Sequence, residues 1–220
     1  MVGSLPGESE ILKNFLESLL EEKAPGPYLS FSIFHLIKAL ELIAKTSQIG
    51  RYKLSEELKI GEGATRTLIE RLKEADLIST SRKGCSLTTK GEKVWSEFQS
   101  IFPQKINLDR NELTLADCNV ALQISGGGNR LRAGLEQRDA AIITGARSAI
   151  TIVFKKQKLI IPAISEDVAR DFPSVFRQIT GLLRLKENDA VVIGSADNWS
   201  QAEYGAWAAA WSLIDNNVVQ

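Results

Sequence analysis

Histidine is almost missing from this 220-residue chain: His35 is the only one. That scarcity argues against Ser-His-Asp triads and against His-ligated metal centres, both of which need an imidazole placed by its neighbours. His35 falls inside an apolar helical run, which points to a structural role. Cysteine is nearly as scarce. Cys85 and Cys118 stand far apart and form no CxxC pair, so free thiols are expected and neither a zinc site nor any other metal or cofactor. No apolar run approaches the roughly 20 residues that span a bilayer, and no basic stretch followed by an apolar core opens the chain. A cytoplasmic protein with no membrane partner is therefore expected. Net charge is also lacking, with 27 Lys/Arg against 27 Asp/Glu.

The charge is unevenly spread, however. Residues 51–105 hold 11 basic and 8 acidic side chains, an excess of three, whereas the flanking segments are slightly acidic. With 44% apolar and 25% charged residues, the composition is that of an ordinary globular protein, long enough for two modest domains.

Apolar periodicity sets the elements of the first half. Residues 8–22 predict a helix with Ile11, Leu12, Phe15, Leu16, Leu19 and Leu20 on its apolar side and Lys13, Glu17 and Glu21 opposite, stopped by Pro25-Gly26-Pro27. It would cover its own domain or pack on a partner subunit. A second helix is expected at 32–45, burying Ile33, Leu36, Ile37, Leu40, Ile43 and Ala44. A short third helix is expected at 54–58, a turn with Gly61 and Gly63 that lets the chain approach the backbone closely, and a fourth helix at 64–75 burying Leu68, Ile69 and Leu72. Residues 76–81 and 85–87 read as strands joined by the basic turn Arg82-Lys83-Gly84. Thr89-x-x-Glu92 reads as a capping box opening a helix at 90–102, with Trp95, Phe98 and Phe102 inward.

Helix, short helix, tight turn, helix, basic-tipped hairpin, helix is the winged helix-turn-helix order. Its fourth helix would enter a major groove with its N-terminal residues at the base edges. Those are Thr65, Arg66 and Thr67, with Lys73 further along the same helix. Arg82 and Lys83 at the hairpin tip would reach phosphates or the minor groove. Double-stranded DNA is thus the expected partner, read by a homodimer. A winged helix can also serve as a protein-interaction adaptor, and Glu62, Glu70 and Glu74 would repel phosphates.

Residues 106–118 read as a linker, which sets an N-terminal winged-helix domain at 1–105 and a C-terminal α+β domain at 119–220. The second half predicts strands at 119–125, 149–154, 159–163 and 190–194. Helices are expected at 134–146, at 168–183 with a break at Pro173, and at 200–215. That β-α-β-β-α-β-α order implies a ferredoxin-like fold or a related sandwich. The run Gly126-Gly127-Gly128-Asn129-Arg130, with Arg132 beyond it, follows a strand and precedes a helix. Its N–H groups and arginines, with Arg138 and Asp139, could hold a small anionic effector. Catalysis by this half is the alternative, although no nucleophile–base pair is visible. Trp199, Trp207 and Trp211 are expected in the core.

The stretch Ile60–Glu92, carrying G-E-G-A-T-R-T-L-I-E-R-L-K-E-A-D-L-I, then R-K-G, then L-T-T-K-G-E, resembles the winged-helix families of prokaryotic regulators. The whole chain also resembles an archaeal family that joins such a domain to a C-terminal domain of unknown function, the likeness resting on R-A-G-L-E-Q-R-D-A-A-I. The resemblance implies a transcription regulator with a small-molecule domain and names no ligand.

Overall fold

The computed structural model describes residues 6–21 and 29–215, so Pro25-Gly26-Pro27 lies outside the described residues. The chain divides into two compact units, one of residues 6–99 and one from residue 100 onward. The first is helical with a small hairpin; the second is α+β around a five-stranded antiparallel sheet.

In the first unit, α1 (Pro6–Ser18) buries Ser9, Leu12, Lys13 and Leu16, while Ile11 is 71% exposed. The buried arc is thus turned toward Lys13 from the expected one. A lysine stem can cover apolar surface as a leucine does, so the charge pattern misplaced the face. Arg71 holds the end of this helix: its Nη1 donates to the carbonyls of Leu19 (2.6 Å) and Glu21 (2.8 Å). Lys90 lies 5.5 Å from the Phe15 ring centroid. These contacts fall within α1's own unit.

The next helix, α2 (Ile33–Thr46), buries Ile33, Leu36, Ile37, Leu40 and Ile43 as expected. His35 caps it from inside: the Ser32 N–H donates to His35 Nδ1 (3.1 Å), and the Ser32 hydroxyl lies 2.9 Å from the same nitrogen. Burial, and then the charge of Lys38, push the His35 pKa down, which keeps that nitrogen an acceptor. Helix α3 (Arg51–Leu58) starts three residues before its expected position, and α4 (Glu62–Glu74) starts two before. Gly63 therefore lies inside α4, with open space where a Cβ would stand, and makes no close approach. Gly61 is the N-cap in extended conformation.

Strands β1 (Ile78–Ser81) and β2 (Gly84–Leu87) form the hairpin, with Ser81 paired to Gly84 around the two-residue tip Arg82-Lys83. Ile49 bridges β2 from its other side by exchanging backbone hydrogen bonds with Cys85 (2.8 and 3.1 Å). Gly84 sits at φ +129°, and a Cβ there would meet the Ile49 carbonyl oxygen, so both backbone conformation and space require glycine. Helix α5 (Thr89–Ile101) is capped one residue earlier than the sequence suggested. Thr88 accepts from the Gly91 N–H (3.0 Å) through its hydroxyl, which donates to the Asp76 carbonyl (2.5 Å). Thr89 is already helical, so the Thr89–Glu92 box is not the cap. Phe98 and Phe102 are buried; Trp95 is half-buried and stacked on Phe98 (5.2 Å).

In the second unit, β3 (Lys105–Leu108), β4 (Cys118–Ile124), β5 (Ser148–Lys155), β6 (Lys158–Ile160) and β7 (Ala190–Ala196) pair in the order β3-β4-β7-β5-β6. Residues 106–118 are thus not a plain linker, because β3 pairs antiparallel with β4 as an edge strand. Nor is the pairing ferredoxin-like. The strand inserted between β4 and β5 is β7, the last of the described strands, where the ferredoxin-like order would insert the one that follows β5. A tight hairpin at Lys156-Gln157, both at positive φ, sends β6 to the edge instead.

One face of the sheet carries α6 (Leu135–Ile143) and α9 (Trp199–Asp215). On the other, α7 (Val168–Asp171) and α8 (Pro173–Leu182, with Pro173 at its first turn) close a core of Ala121, Ile152, Leu159, Val175, Ile179 and Val191. Every residue of β7 is buried, as a central strand covered on both faces requires. Small residues bring α9 close: a Cβ on Gly194 would stand 2.6 Å from the Ala202 carbonyl oxygen and the Ala206 nitrogen. Trp207 and Trp211 are buried around Phe102, whereas Trp199 is 49% exposed and not core. Among the described residues no helix is long and apolar enough to cross a membrane.

Candidate nucleic-acid interface

Helix α4 is amphipathic because Leu68, Ile69 and Leu72 recur at helical spacing and bury one side. Thr65 belongs to that side. It is fully buried, and its hydroxyl donates back to the Gly61 carbonyl (3.2 Å). The expectation that Thr65 meets a duplex is therefore corrected: three and four residues before Leu68 and Ile69, it shares their side of the helix. Arg66 and Lys73 lie on the exposed side, and Thr67 is half-buried with its hydroxyl on the Gly63 carbonyl (3.3 Å). Glu62, Glu70 and Glu74 are exposed on the same helix, so the solvent side of α4 carries both signs.

Arg82 and Lys83 are exposed at the hairpin tip. The tip is held by Ser81, whose hydroxyl accepts from the Lys83 N–H (3.1 Å) and donates to the Gly84 carbonyl (3.3 Å). Two basic side chains are thus presented by a short turn with fixed geometry, beside a helix that exposes one arginine and one lysine. Arg71 points away from this side to the end of α1. Its place three residues after the buried Leu68 is the available sign.

The glycine run of the second unit is built for packing. The Gly126 N–H donates to Asp189 Oδ1 (3.1 Å), and the Gly128 N–H donates to the Asn188 carbonyl (2.8 Å). Those of Asn129 and Arg130 close a 3₁₀ turn on Gly126 (3.4 Å) and Gly127 (3.1 Å). A Cβ on Gly128 would stand 2.5 Å from a Val153 methyl. These donors are committed within the fold, which contradicts the expected anion cradle. Asp189 is the organising group, 3% exposed, also accepting from Gln123 Nε2 (2.7 Å) and the Lys186 N–H (2.9 Å). Arg132 is exposed beyond the turn, and Arg138 is paired with its neighbour Asp139 (3.1 Å), both half-exposed on α6. The loop, Arg132 and the Arg138–Asp139 pair do not converge on a single pocket of donors.

Other chemistry is sparse. Cys85 and Cys118 are free thiols, and burial pushes the Cys85 thiol pKa up, away from nucleophilic use. Among the described residues no cluster of His, Cys, Asp and Glu is arranged to hold a metal ion.

Residues 37–93 match the family described as PH0730-like, N-terminal domain, and residues 115–213 match DUF4443, a domain of unknown function. No curated protein sequence matches the chain. Among solved structures, the hypothetical protein PH0730 from Pyrococcus horikoshii OT3 is similar, with a TM-score of 0.68 at 24% identity. The match covers 86% of this chain and 96% of that one. At that identity the likeness is one of fold. The two family matches fall one in each compact unit, and together with this structure they fit an archaeal two-domain family in which a PH0730-like N-terminal domain precedes a DUF4443 domain.

Proposed function

We propose that the first unit is a winged helix-turn-helix that binds double-stranded DNA and that the protein regulates transcription. The observation that supports this most is the pairing of an exposed Arg66 and Lys73 on α4 with Arg82 and Lys83 on a hairpin that Ile49 bridges at Cys85. In this reading α4 enters the major groove, Arg66 reads base edges with Thr67 beside it, and Lys73, Arg82 and Lys83 contact phosphates. Glu62 and Glu70 limit non-specific affinity, because they repel phosphates wherever no base contact compensates. The effector role expected of the second unit loses its support with the glycine loop, and the reading rests on the first unit.

The test is selection of genomic fragments by the purified full chain at moderate salt. A restricted set of fragments should be recovered, with binding that falls steeply on a log–log salt plot. Arg66→Ala should lose the preference among fragments, whereas Lys83→Ala should weaken all fragments alike and reduce the salt slope by about 1. Equal recovery of every fragment by the wild type and by Arg66→Ala would refute it.

A further inference from the structure

Three segments of the second unit, within 112–115, 133–135 and 161–164, close over the outer side of β5 and leave a cavity of about 320 Å³ beneath them. Ser148–Thr151 form its floor. Strand β6 pairs only with Val153–Lys155, so this stretch of β5 has β7 on one side and the cavity on the other. The two-residue hairpin at Lys156-Gln157 makes Lys155 and Val153 bond toward β6, and the Phe154 N–H donates to the Asp189 carbonyl on the β7 side (2.9 Å). By alternation the N–H groups of Ala149 and Thr151 turn away from β7, and among the described residues neither has an acceptor. The Thr151 hydroxyl is also buried without a partner. Buried donors are nearly always hydrogen-bonded in native proteins, so three orphans on one cavity floor point to an occupant. Ala149 and Thr151 are 7% and 3% exposed, so the covering segments admit no strand and the occupant is a small molecule.

Above that polar floor the walls are apolar, formed by Leu113, Leu115, Leu135, Ile161 and Ile164. Leu115, Leu135 and Ile164 are large aliphatic side chains left exposed, and they converge on this one cavity. Apolar walls with a few polar groups are the usual make-up of a small-molecule site. The charge of the lining selects an anion. Arg138 is its one basic residue, half-exposed, and the Asp139 that pairs with it is not part of the lining. Glu112 is its one acidic residue, and its carboxylate is spent on the Ser174 and Val175 N–H groups (2.9 and 3.2 Å). Helix α6 begins at the cavity, and its N-cap, Gly134, has no side chain to cap the first turn, which leaves the partial positive charge of a helix start beside Arg138.

We propose that this cavity binds an aliphatic monocarboxylate. The carboxylate accepts from Arg138 and from the outward amides of β5, and the chain lies between the leucine and isoleucine walls. The volume sets the length. At roughly 30 Å³ per heavy atom, the share of one water molecule in the liquid, the cavity holds about ten, the size of octanoate. The site is separate from the glycine run, whose donors are committed within the fold. It also stands apart from the DNA-binding reading: a chain that binds the acid and no DNA sinks that reading alone, and a chain that binds DNA and no acid sinks this one alone.

The test is calorimetric titration of the full chain with octanoate, combined with amide hydrogen exchange in the presence and absence of the acid. A Kd of about 1 mM or tighter is expected for a ligand of about ten heavy atoms. Acetate, which lacks the chain, and 1-octanol, which lacks the charge, should give no measurable binding at the same concentrations. Bound octanoate should slow exchange of the Ala149 and Thr151 amides and leave that of Ile150, bonded to β7, unchanged. Arg138→Gln should weaken binding at least fivefold. Ala133→Trp, at an exposed position of the rim, should fill the cavity and abolish binding while circular dichroism stays that of the wild type. No binding of octanoate overturns the proposal. So does binding that survives Ala133→Trp or leaves the Ala149 and Thr151 amides unchanged, because the acid then sits elsewhere. So does an affinity indifferent to Arg138→Gln and shared by 1-octanol, because the cavity then selects no carboxylate.

Discussion

Replacing Gly91 with alanine sets two effects of known sign against each other. Glycine within a helix is less favourable than alanine by about 1 kcal/mol, so on α5 alone the substitution would stabilise. The packing says otherwise. A Cβ at position 91 would stand 1.9 Å from the Leu77 carbonyl oxygen and 2.9 Å from its carbon. Ordinary contact begins near 3.4 Å, so helix or carbonyl must give by about 1.5 Å. The carbonyl is not free to give, since it accepts the Thr88 N–H (3.0 Å) at the start of α5, a bond worth about 1 kcal/mol. Overpacking strain of about 1–3 kcal/mol plus the loss of that bond outweighs the helix gain and leaves a net loss of about 1–3 kcal/mol. In urea unfolding of the full chain followed by circular dichroism, a slope near 1.5 kcal/mol per M turns this into a midpoint lowered by about 1–2 M. Gly63→Ala is the matched control. It also lies in a helix, but nothing stands within 4 Å of its Cβ, so it should stabilise by up to about 1 kcal/mol. A Gly91→Ala protein as stable as the wild type, or one that shifts alongside Gly63→Ala, would refute the argument that close approach requires glycine here.

Other expectations follow from single groups. The His35 pKa is held below its unfolded value of 6.5, so its contribution is present above that pH and is lost as pH falls through the folded value; the melting temperature should drop on acidification, and His35→Gln, which can keep the cap without titrating there, should flatten that drop. Asp189→Ala strands three donors, from Gly126, Gln123 and Lys186, and should lower stability by about 3 kcal/mol in chemical denaturation, with Asp189→Asn losing less. Arg71→Ala removes two hydrogen bonds to carbonyls at the end of α1; hydrogen exchange should quicken across α1, at a cost of about 1–2 kcal/mol, while α2 is unchanged.

Much of the local structure was legible because periodicity and burial agree. The stripe on α2, the hairpin with its basic tip and the break at Pro173 all follow from residue spacing and from proline's missing donor. Legibility failed where one residue type serves two physical ends. A glycine run after a strand suits an anion cradle and close packing equally, and only Val153 and Asn188, distant in sequence, decide for packing. Thr65 suits a base contact or a buried bond to Gly61, and its helical spacing to Leu68, Ile69 and Leu72 decides for burial. The charge of Lys13 points outward in a sequence pattern, whereas the residue is buried. Strand order was hidden for another reason: chain order places β5 and β6 together, but nothing local tells β7 to part β4 from β5. The short edge strand β3 has four residues among polar ones, too few to show alternation.

The late position of β7 bears on how the chain is made. Residues 118–124 and 148–155 leave a ribosome well before residues 190–196, and neither strand has its shared neighbour until then. The second unit must therefore wait, with two apolar ribbons bare, for nearly its whole length to emerge, whereas the first can finish early through short-range contacts. Mistakes of synthesis, such as premature stops before Ala190, would release a folded head trailing a sticky, sheet-less tail, a natural target for chaperones and proteases.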